Sequence, residues 1–392
     1  MTIDWKALAP HRPVPPGDQG YVERPGYGGN RIAAMILSGQ ATVLLAGPLG
    51  VGKSTELARA ADVLRRSRVA CLVQLGMDRG ENMHSVTEEQ VLLHLAGSVA
   101  HVAIEGFGID LSPELRMGLV ARGALPSELL GGAGGSVLSG SAGTIASATL
   151  DEVARKSQRA VTLLIDGLEK TPEEPARRVF DALSRLPDHA EIVLVVPSDA
   201  TFGPAAKEVV RPGEKLMVLR PLEVESEAGA AGRKFLARIV AQRLELAVDA
   251  FDEEVSATRV RLRALGVGVP AHMPVLLASA AAWSGGVPRT FLQLVADAAT
   301  NANLDRGDEW PLQEDLAAAV HDQIEMVRRL LLPGDADAVR VAHGTDGREL
   351  ALAAKLRLVR NAILVERARG RGMRLVMHPF ARELLGPAVT DA

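Results

Sequence analysis

The sequence contains a single cysteine, Cys71, among its 392 residues, and aromatic residues make up only 3% of it. A lone cysteine excludes an intrachain disulfide framework and a zinc site built from several thiolates. No apolar run approaches the roughly 18 residues that a membrane helix needs, and residues 1–6 contain no apolar signal region. We therefore expect a cytoplasmic protein without membrane segments, in which Cys71 is an inert core residue.

An excess of charge of either sign is also lacking, because 44 Lys and Arg residues stand against 48 Asp and Glu residues. The formal net charge of −4 argues against a protein that coats nucleic acid along its whole surface, but leaves room for one basic patch. The nine histidines are scattered and form no H-E-x-x-H pair, so metal binding other than that of Mg²⁺ is not expected. No G-x-S-x-G nucleophile elbow and no guanine-reading N-K-x-D pattern occur.

Short apolar runs alternate with helical patterns over the first half of the chain. Such runs are typical of buried parallel strands, because helices cover both faces of a parallel sheet. The alternation predicts an α/β domain with a five-stranded parallel sheet and helices on both faces. The predicted strands are residues 41–47, 69–75, 160–166, 191–197 and 215–220.

Composition divides the chain into segments. Residues 1–20 are proline-rich and predict an irregular lead-in, and residues 21–225 carry the α/β pattern. Residues 131–143 contain six glycines and predict a flexible insertion within that domain. Residues 226–332 show only helical patterns, which predict a helical lid. A Pro-Gly break then opens residues 333–392, where a helical pattern and two β-like runs predict a small winged-helix-like domain.

The run from Gly47 to Ser54, Gly-Pro-Leu-Gly-Val-Gly-Lys-Ser, matches the phosphate-loop motif G-x-x-x-x-G-K-[ST] in full. It follows a predicted strand and opens a predicted helix, which is the context that the motif requires. Glycines let backbone N–H groups close around phosphates, and the helix N-terminus adds positive potential. Lys53 can reach the β- and γ-phosphates of a nucleotide, and the Ser54 hydroxyl can ligate Mg²⁺. The predicted nucleotide-binding residues are Gly47, Pro48, Gly50, Val51, Gly52, Lys53, Ser54 and Thr55.

A second predicted strand ends in a carboxylate, in the run Leu-Leu-Ile-Asp that closes at Asp166. Asp166 can hold the Mg²⁺ shell, as the corresponding acid does in P-loop ATPases. Glu169, three residues later, can orient or deprotonate the attacking water. Both acids also fit a strand end followed by a solvated turn. The complete phosphate loop upstream favours the catalytic interpretation, more strongly for Asp166 than for Glu169.

With these motifs the chain resembles the AAA+ and STAND-type ATPases over about residues 20–385. It is most similar to initiator-like and STAND-like members, in which a winged helix follows a helical lid. The run Tyr-Val-Glu-Arg-Pro that begins at Tyr21 is similar to their adenine-side box. The resemblance therefore implies that ATP is the nucleotide and that Tyr21, Val22 and Arg24 border its base.

The same resemblance implies residues that sense the γ-phosphate. The strand 191–197 takes the place of the sensor-1 strand, so its polar residue would be Ser198 or Asp199. The run Gly-Gly-Val-Pro-Arg that ends at Arg289 looks like a GxP/sensor-2 element at a helix start. Pro288 would then border the nucleotide, and Arg289 would reach the γ-phosphate from the lid. The alternative for this run is a Gly-Pro helix start with an exposed arginine.

An arginine finger supplied by a neighbouring copy would precede the fifth strand, where Arg211 is the candidate. Arg177 and Arg178 on the preceding helix compete with it, and a solvated charge is the alternative. The family likeness thus implies a homo-oligomer or a protein partner.

The C-terminal run 362–377 predicts a strand, a basic tip and a second strand. Arginine side chains suit phosphate oxygens, so this hairpin is a candidate contact with duplex DNA. A solvated tip, or one that docks on an acidic protein surface, is the alternative. The candidate arginines are Arg367, Arg369, Arg371 and Arg374.

Three functions are compatible with these motifs. The first is an ATP-hydrolysing, Mg²⁺-dependent switch that changes conformation or assembly, in a DNA-linked or defence process. The second is a DNA-binding initiator or loader ATPase that contacts the duplex through the C-terminal wing. The third, a small-molecule phosphotransferase, is disfavoured because no acceptor pocket can be identified in the sequence.

Overall fold

The structure is a computed structural model of the chain. It describes residues 3–9, 21–26, 28–75, 87–130, 136–171, 173–183, 186, 190–197, 210, 213–225, 227–246, 269–307, 310–345, 347, 349–369 and 372–385. Within these ranges, no helix has both the length and the apolar character needed to cross a membrane.

A five-stranded parallel sheet forms the centre of the first domain, as the apolar runs predicted. Its strands are β1 (Thr42–Ala46), β2 (Val69–Gln74), β3 (Val161–Asp166), β4 (Ala190–Val195) and β5 (Glu214–Val218). They lie in the order β2-β3-β4-β1-β5. Because every neighbouring pair is parallel, all the carboxyl ends lie at one edge of the sheet. That edge carries both the phosphate loop after β1 and the carboxylate that ends β3.

Helices cover both faces of this sheet. They are α1 (Gly29–Leu37), α2 (Lys53–Leu64), α3 (Glu88–His101), α4 (Pro113–Ala121), α5 (Ala142–Ser157) and α6 (Glu173–Leu183). Successive strand residues face opposite sides, so Val43 and Leu45 join the core under α1 and α2, whereas Leu44 joins the core under α3 and α5. Each such fully buried side chain contributes about 1.5–3 kcal/mol to folding. The alternating burial therefore anchors β1 firmly beneath the phosphate loop.

The glycine-rich insertion has two parts. Residues 131–135 lie outside the described residues, so flexibility there stays a prediction. The remainder packs on the domain, because the Leu138 N–H donates to the Glu114 carbonyl at 3.1 Å. The Ser141 side chain caps the first turn of α5, which begins at Ala142. The last residues of the predicted insertion thus belong to a helix.

Four helices form the part of the lid that the structure describes, and its core also contains part of the lead-in. The helices are α7 (Ala230–Arg243), α8 (Met273–Trp283), α9 (Pro288–Arg306) and α10 (Gln313–Leu330). Trp5–Leu8 is a short 3-10 helix rather than irregular chain. Leu8 is fully buried in the lid core, and the Trp5 and Trp310 rings meet edge to face at 5.7 Å. Apolar side chains tie these N-terminal residues down despite the proline-rich composition around them.

The C-terminal residues form a small unit with a core of its own. Its elements are α11 (Asp335–Gly344), α12 (Leu352–Arg360), β6 (Leu364–Arg369), β7 (Gly372–Met377) and α13 (Pro379–Leu385). The strands β6 and β7 form an antiparallel hairpin in which Arg367 lies opposite Arg374. Asp335 accepts hydrogen bonds from Arg357 and from the Leu332 N–H, so it joins both helices to the end of the lid. A winged-helix classification of this unit stays a prediction.

Candidate nucleotide-binding site

The phosphate loop has a backbone shape that only glycine allows. Gly50 and Gly52 have φ values of 80° and 102°, and Gly47 has a φ of 153°. A Cβ atom at Gly47 would lie 2.3 Å from the Leu219 carbonyl oxygen, and one at Gly50 would lie 2.6 Å from Arg289 Cβ. The chain after β5 and the start of α9 therefore pack directly against the loop, one on Gly47 and the other on Gly50.

Lys53 is the first residue of α2, and its side chain is 6% exposed. Its Nζ atom donates to the carbonyl oxygens of Gly47 and Pro48, at 2.9 and 3.1 Å. These contacts hold the ammonium group against the loop, beside the helix N-terminus where a phosphate would bind. The half-buried Ser54 follows in the same helical turn. The lysine and the loop are thus held together at the N-terminus of α2.

The two predicted catalytic carboxylates meet at one backbone N–H group. Asp166 ends β3 and is 5% exposed. The Gly167 N–H donates to Asp166 Oδ1 at 3.0 Å and to Glu169 Oε2 at 3.1 Å. Gly167 has a φ of 98°, and a Cβ atom there would lie 2.5 Å from the Leu75 carbonyl oxygen. Only glycine fits this turn, so Gly167 is what brings the two acids together, a role that the motif search missed.

Two side chains at this edge of the sheet carry oxygens of the kind that Mg²⁺ prefers. The Ser54 hydroxyl and the Asp166 carboxylate are hard oxygen ligands, and Mg²⁺ is usually bound by one or two such groups together with substrate phosphates. No cluster of three or more His, Cys, Asp or Glu side chains that could hold a metal occurs among the described residues. A Mg²⁺ ion here would therefore depend on nucleotide phosphates for the rest of its coordination.

Arg24 of the predicted adenine-side box holds the backbone of the site. It is 6% exposed, and its guanidinium group donates to the Val51 carbonyl at 2.7 Å and to the Arg220 carbonyl. Burial lowers the Arg24 pKa. Arg24 thus joins the phosphate loop to the chain that leaves β5. Contact of Tyr21, Val22 and Arg24 with a nucleotide base stays a prediction.

Glu56, which sequence reasoning missed, holds Tyr21, the first residue of the predicted adenine-side box. It lies on α2 three residues after Lys53 and is 3% exposed. Its Oε2 atom accepts from the Gly29 N–H at 2.6 Å and from the Tyr21 hydroxyl at 3.2 Å. Burial raises the Glu56 pKa, and the Gly29 hydrogen bond opposes that shift. The available signal was an acid on an otherwise apolar helix face directly behind the phosphate loop.

The lid reaches the phosphate loop through the run that resembles sensor 2. The Arg289 N–H donates to the Gly50 carbonyl at 3.2 Å. Pro288 is buried at the start of α9, whereas the Arg289 side chain is exposed. The structure therefore places the predicted sensor residue at the loop through its backbone.

The C-terminal hairpin lies beside the same loop. Gly47 and Pro48 line a small cavity together with Leu364, Val365 and Glu366. Glu366 is 4% exposed, and neither of its carboxylate oxygens has a hydrogen-bond partner within the described part of the chain. Arg220 Nε lies 3.9 Å from it, and burial raises the Glu366 pKa. The hairpin thus buries an acidic side chain against the start of the phosphate loop.

The prediction that Arg367 contacts DNA is wrong. Arg367 is 5% exposed, and its guanidinium group donates to the carbonyl oxygens of Leu222 and Gly285. Residues 364–367 of β6 are all buried, so this arginine points into the protein instead of extending from a free wing. Arg374 is exposed on β7, and Arg369 ends β6.

Several predicted residues lie outside the described residues. They are the hairpin arginine Arg371, the sensor-1 candidates Ser198 and Asp199, and the arginine-finger candidate Arg211. The competing candidates Arg177 and Arg178 are exposed on α6.

His378 binds the lid in its neutral form. Its Nε2 atom lies 3.1 Å from the Ser284 carbonyl oxygen, and its Nδ1 atom accepts from the Phe380 N–H. These contacts require a proton on Nε2 and none on Nδ1. Burial lowers the His378 pKa to about 4, from an ordinary value of 6.5. As the pH falls, His378 therefore binds a proton at a higher pH in the unfolded chain than in the folded one.

We expect acid to destabilise the protein through His378. Because the folded pKa is depressed, the stabilisation is present above about pH 6.5 and is lost as the pH falls towards about 4. At pH 5 the loss is roughly 2 kcal/mol in the free energy of unfolding. Urea unfolding at pH 7 and pH 5 measures it, with His378→Gln expected to show a smaller loss. The exposed His321→Gln is the control, and equal losses in all three proteins would contradict the assignment.

Comparisons with known proteins assign the chain to no family. No protein-family model matches the chain, and no curated protein matches it. Among solved structures, PCH-2 of C. elegans is 13% identical, covers 76% of this chain and 68% of its own, and has a TM-score of 0.36. RuvB of Thermotoga maritima is 12% identical, covers 88% of this chain and 87% of its own, and has a TM-score of 0.37.

A STAND-type signal-transduction ATPase with a tetratricopeptide repeat sensor from Pyrococcus horikoshii is also similar. It is 12% identical with a TM-score of 0.31, and the match covers 94% of this chain but only 42% of that protein. TM-scores this low assign neither a fold nor a function, so the classification rests on the sequence and the structure of this chain. Its strand order, its complete phosphate loop and the carboxylate that ends β3 are those of a P-loop NTPase fold.

Proposed function

We propose that the protein is a molecular switch that binds and hydrolyses ATP. The observation that carries the proposal is the hydrogen bond from the Arg289 N–H to the Gly50 carbonyl, which brings the lid into contact with the phosphate loop. A nucleotide that reshapes this loop acts directly on the first turn of α9. Binding and hydrolysis can therefore change the angle between the α/β domain and the lid, and with it the assembly with further copies or with a protein partner.

Each residue of the site has a separate role in the proposed hydrolysis. Lys53 binds the β- and γ-phosphates, and backbone N–H groups of the loop surround them. Ser54 and Asp166 would hold Mg²⁺, which would offset the negative charge of the phosphates. Glu169 accepts a proton from the attacking water, whose oxygen bonds to the γ-phosphorus as the bond to the β-phosphate oxygen breaks. The products are ADP and inorganic phosphate.

The proposal is tested by size-exclusion chromatography with light scattering, with ATP, with ADP and without nucleotide. A switch is expected to change its hydrodynamic radius or its assembly with ATP but not with ADP. Lys53→Ala should show the nucleotide-free behaviour under all three conditions. A profile that is the same for the wild type in every condition argues against a nucleotide-controlled switch.

Arg289→Ala is expected to reduce the preference for ATP over ADP by roughly tenfold, the size of one hydrogen bond to a charged group. The exposed guanidinium lies at the start of α9, where it can reach a γ-phosphate that ADP lacks. Competition with a fluorescent nucleotide measures both affinities. Arg329→Ala, on the exposed face of α10, is the control. An unchanged ratio of affinities in Arg289→Ala would show that this arginine does not sense the γ-phosphate.

A further inference from the structure

The turn that contacts the phosphate loop is held from its other side by the C-terminal unit. Three successive carbonyl oxygens, of Ser284, Gly285 and Gly286, each receive a hydrogen bond from a different residue. The donors are His378 at 3.1 Å, Arg367 at 2.7 Å and the Leu222 N–H at 2.9 Å. We call residues 284–287 the sensor turn. Its backbone is thus fixed by the C-terminal hairpin, by the start of α13 and by the chain after β5.

The sensor turn is closely packed against its neighbours. Gly286 has a φ of 75°, and a Cβ atom there would lie 1.9 Å from the Leu222 carbonyl oxygen. A Cβ atom at Gly285 would lie 3.0 Å from the His378 ring. Because backbone packs on backbone here, a shift of the hairpin or of Leu222 must move the turn. The next residues along the chain are Pro288 and Arg289, which begin α9 at the phosphate loop.

Arg367 joins two of these parts with one side chain. One arm of its guanidinium group donates to the Leu222 carbonyl, and the other donates to the Gly285 carbonyl. Leu222 belongs to the linker between the sheet and the lid, whereas Gly285 belongs to the sensor turn. The planar fork of arginine fixes the directions of both hydrogen bonds, whereas the ammonium group of lysine is a single point on a flexible stem.

The burial of this cation is costly. Arg367 is 5% exposed, and burial lowers its pKa, while the charges of Glu223 and Glu225 oppose that shift. An apolar side chain usually fills a buried position at lower cost than a charge. Packing alone therefore does not explain why an arginine occupies this position. Its two directional hydrogen bonds do explain it.

We propose that Arg367 is a positioning residue for the nucleotide site. It fixes the sensor turn so that the Arg289 N–H meets the Gly50 carbonyl and the Arg289 side chain starts from a defined place beside the phosphates. The inference rests on the proposed ATP-binding function. It also makes the C-terminal hairpin part of the nucleotide site without any direct contact between Arg367 and the ligand.

The test compares the affinities of the full-length protein for ATP and ADP. Arg367→Ala is expected to lower the ATP preference about fivefold or more, which is the lower end of the coupling between linked sites. Arg367→Lys should also lower it, because lysine keeps the charge but loses the fork. Arg374→Ala is the matched control, since this exposed arginine lies opposite Arg367 in the same hairpin and should leave the preference unchanged.

A double-mutant cycle separates positioning from a general effect on folding. If Arg367 acts through Arg289, then Arg367→Ala should change the ATP/ADP ratio in the wild type but not in the Arg289→Ala protein. Thermal melting without nucleotide shows whether each variant is folded, and Arg367→Lys carries the test if Arg367→Ala is not. A wild-type ratio in a folded Arg367 variant, or independent losses that add, would overturn the inference. Failure of the proposed function is distinct, because the wild type would then show no ATP binding that depends on Lys53.

Discussion

Lys53→Ala is expected to weaken ATP binding by roughly 100-fold or more, because the ammonium group makes charge-assisted hydrogen bonds to phosphate oxygens. The side chain lies on the Gly47 and Pro48 carbonyl oxygens and not in an apolar core, so the fold should tolerate its loss. Isothermal titration with ATP and Mg²⁺ measures the affinity, and thermal melting checks the fold.

A matched control for this substitution is Lys215→Ala, which removes an exposed lysine from β5 of the same domain. It lowers the charge of the protein by the same amount without touching the loop. Near-normal affinity in Lys215→Ala together with a large loss in Lys53→Ala would locate the phosphates at the loop. Wild-type affinity in a folded Lys53→Ala protein would remove the basis for the assignment.

Glu169→Gln is expected to keep ATP binding but to slow hydrolysis by roughly 10²-fold or more, the contribution of a positioned general base. The amide oxygen of glutamine can still accept from the Gly167 N–H, so the local geometry should survive. Only the capacity to take a proton from water is lost. Phosphate release under saturating ATP measures the turnover, and Glu174→Gln on the exposed start of α6 is the control.

Asp166→Asn complements this experiment, because it removes a Mg²⁺ ligand and not a base. It should raise the Mg²⁺ concentration needed for half-maximal turnover. If neither Asp166→Asn nor Glu169→Gln changes turnover, the hydrolytic chemistry lies elsewhere or the protein holds ATP without cleaving it.

The features that the sequence predicts well are local. A buried parallel strand is a short apolar run, and the phosphate loop is a contiguous motif whose glycines are required by its own backbone. For this reason the sequence predicts the sheet, the position of Lys53 at the start of a helix and that of Asp166 at the end of a buried strand, whereas the roles of both residues in binding stay predictions. The bounds of the strands differ by one or two residues, as expected where hydrogen bonding frays.

The features that the sequence misses depend on contacts between distant parts of the chain. Arg367 lies in a run with several arginines and glycines, which is typical of an exposed tip. Its burial follows from the packing of β6 against the linker at Leu222, which the hairpin sequence alone does not encode. Glu56 and Leu8 were missed for the same reason, because their partners, Gly29 and the lid core, lie elsewhere in the sequence.

The row of hydrogen bonds along the sensor turn has a consequence for the equilibrium between the closed and the opened lid. The bonds from His378, Arg367 and Leu222 and the bond to Gly50 share one short stretch of backbone, so a large displacement of that stretch breaks them together. At about 1 kcal/mol each, their combined loss keeps the opened conformation near one molecule in a thousand. Each molecule is then either closed or open, and positions of the lid between the two are rarely occupied.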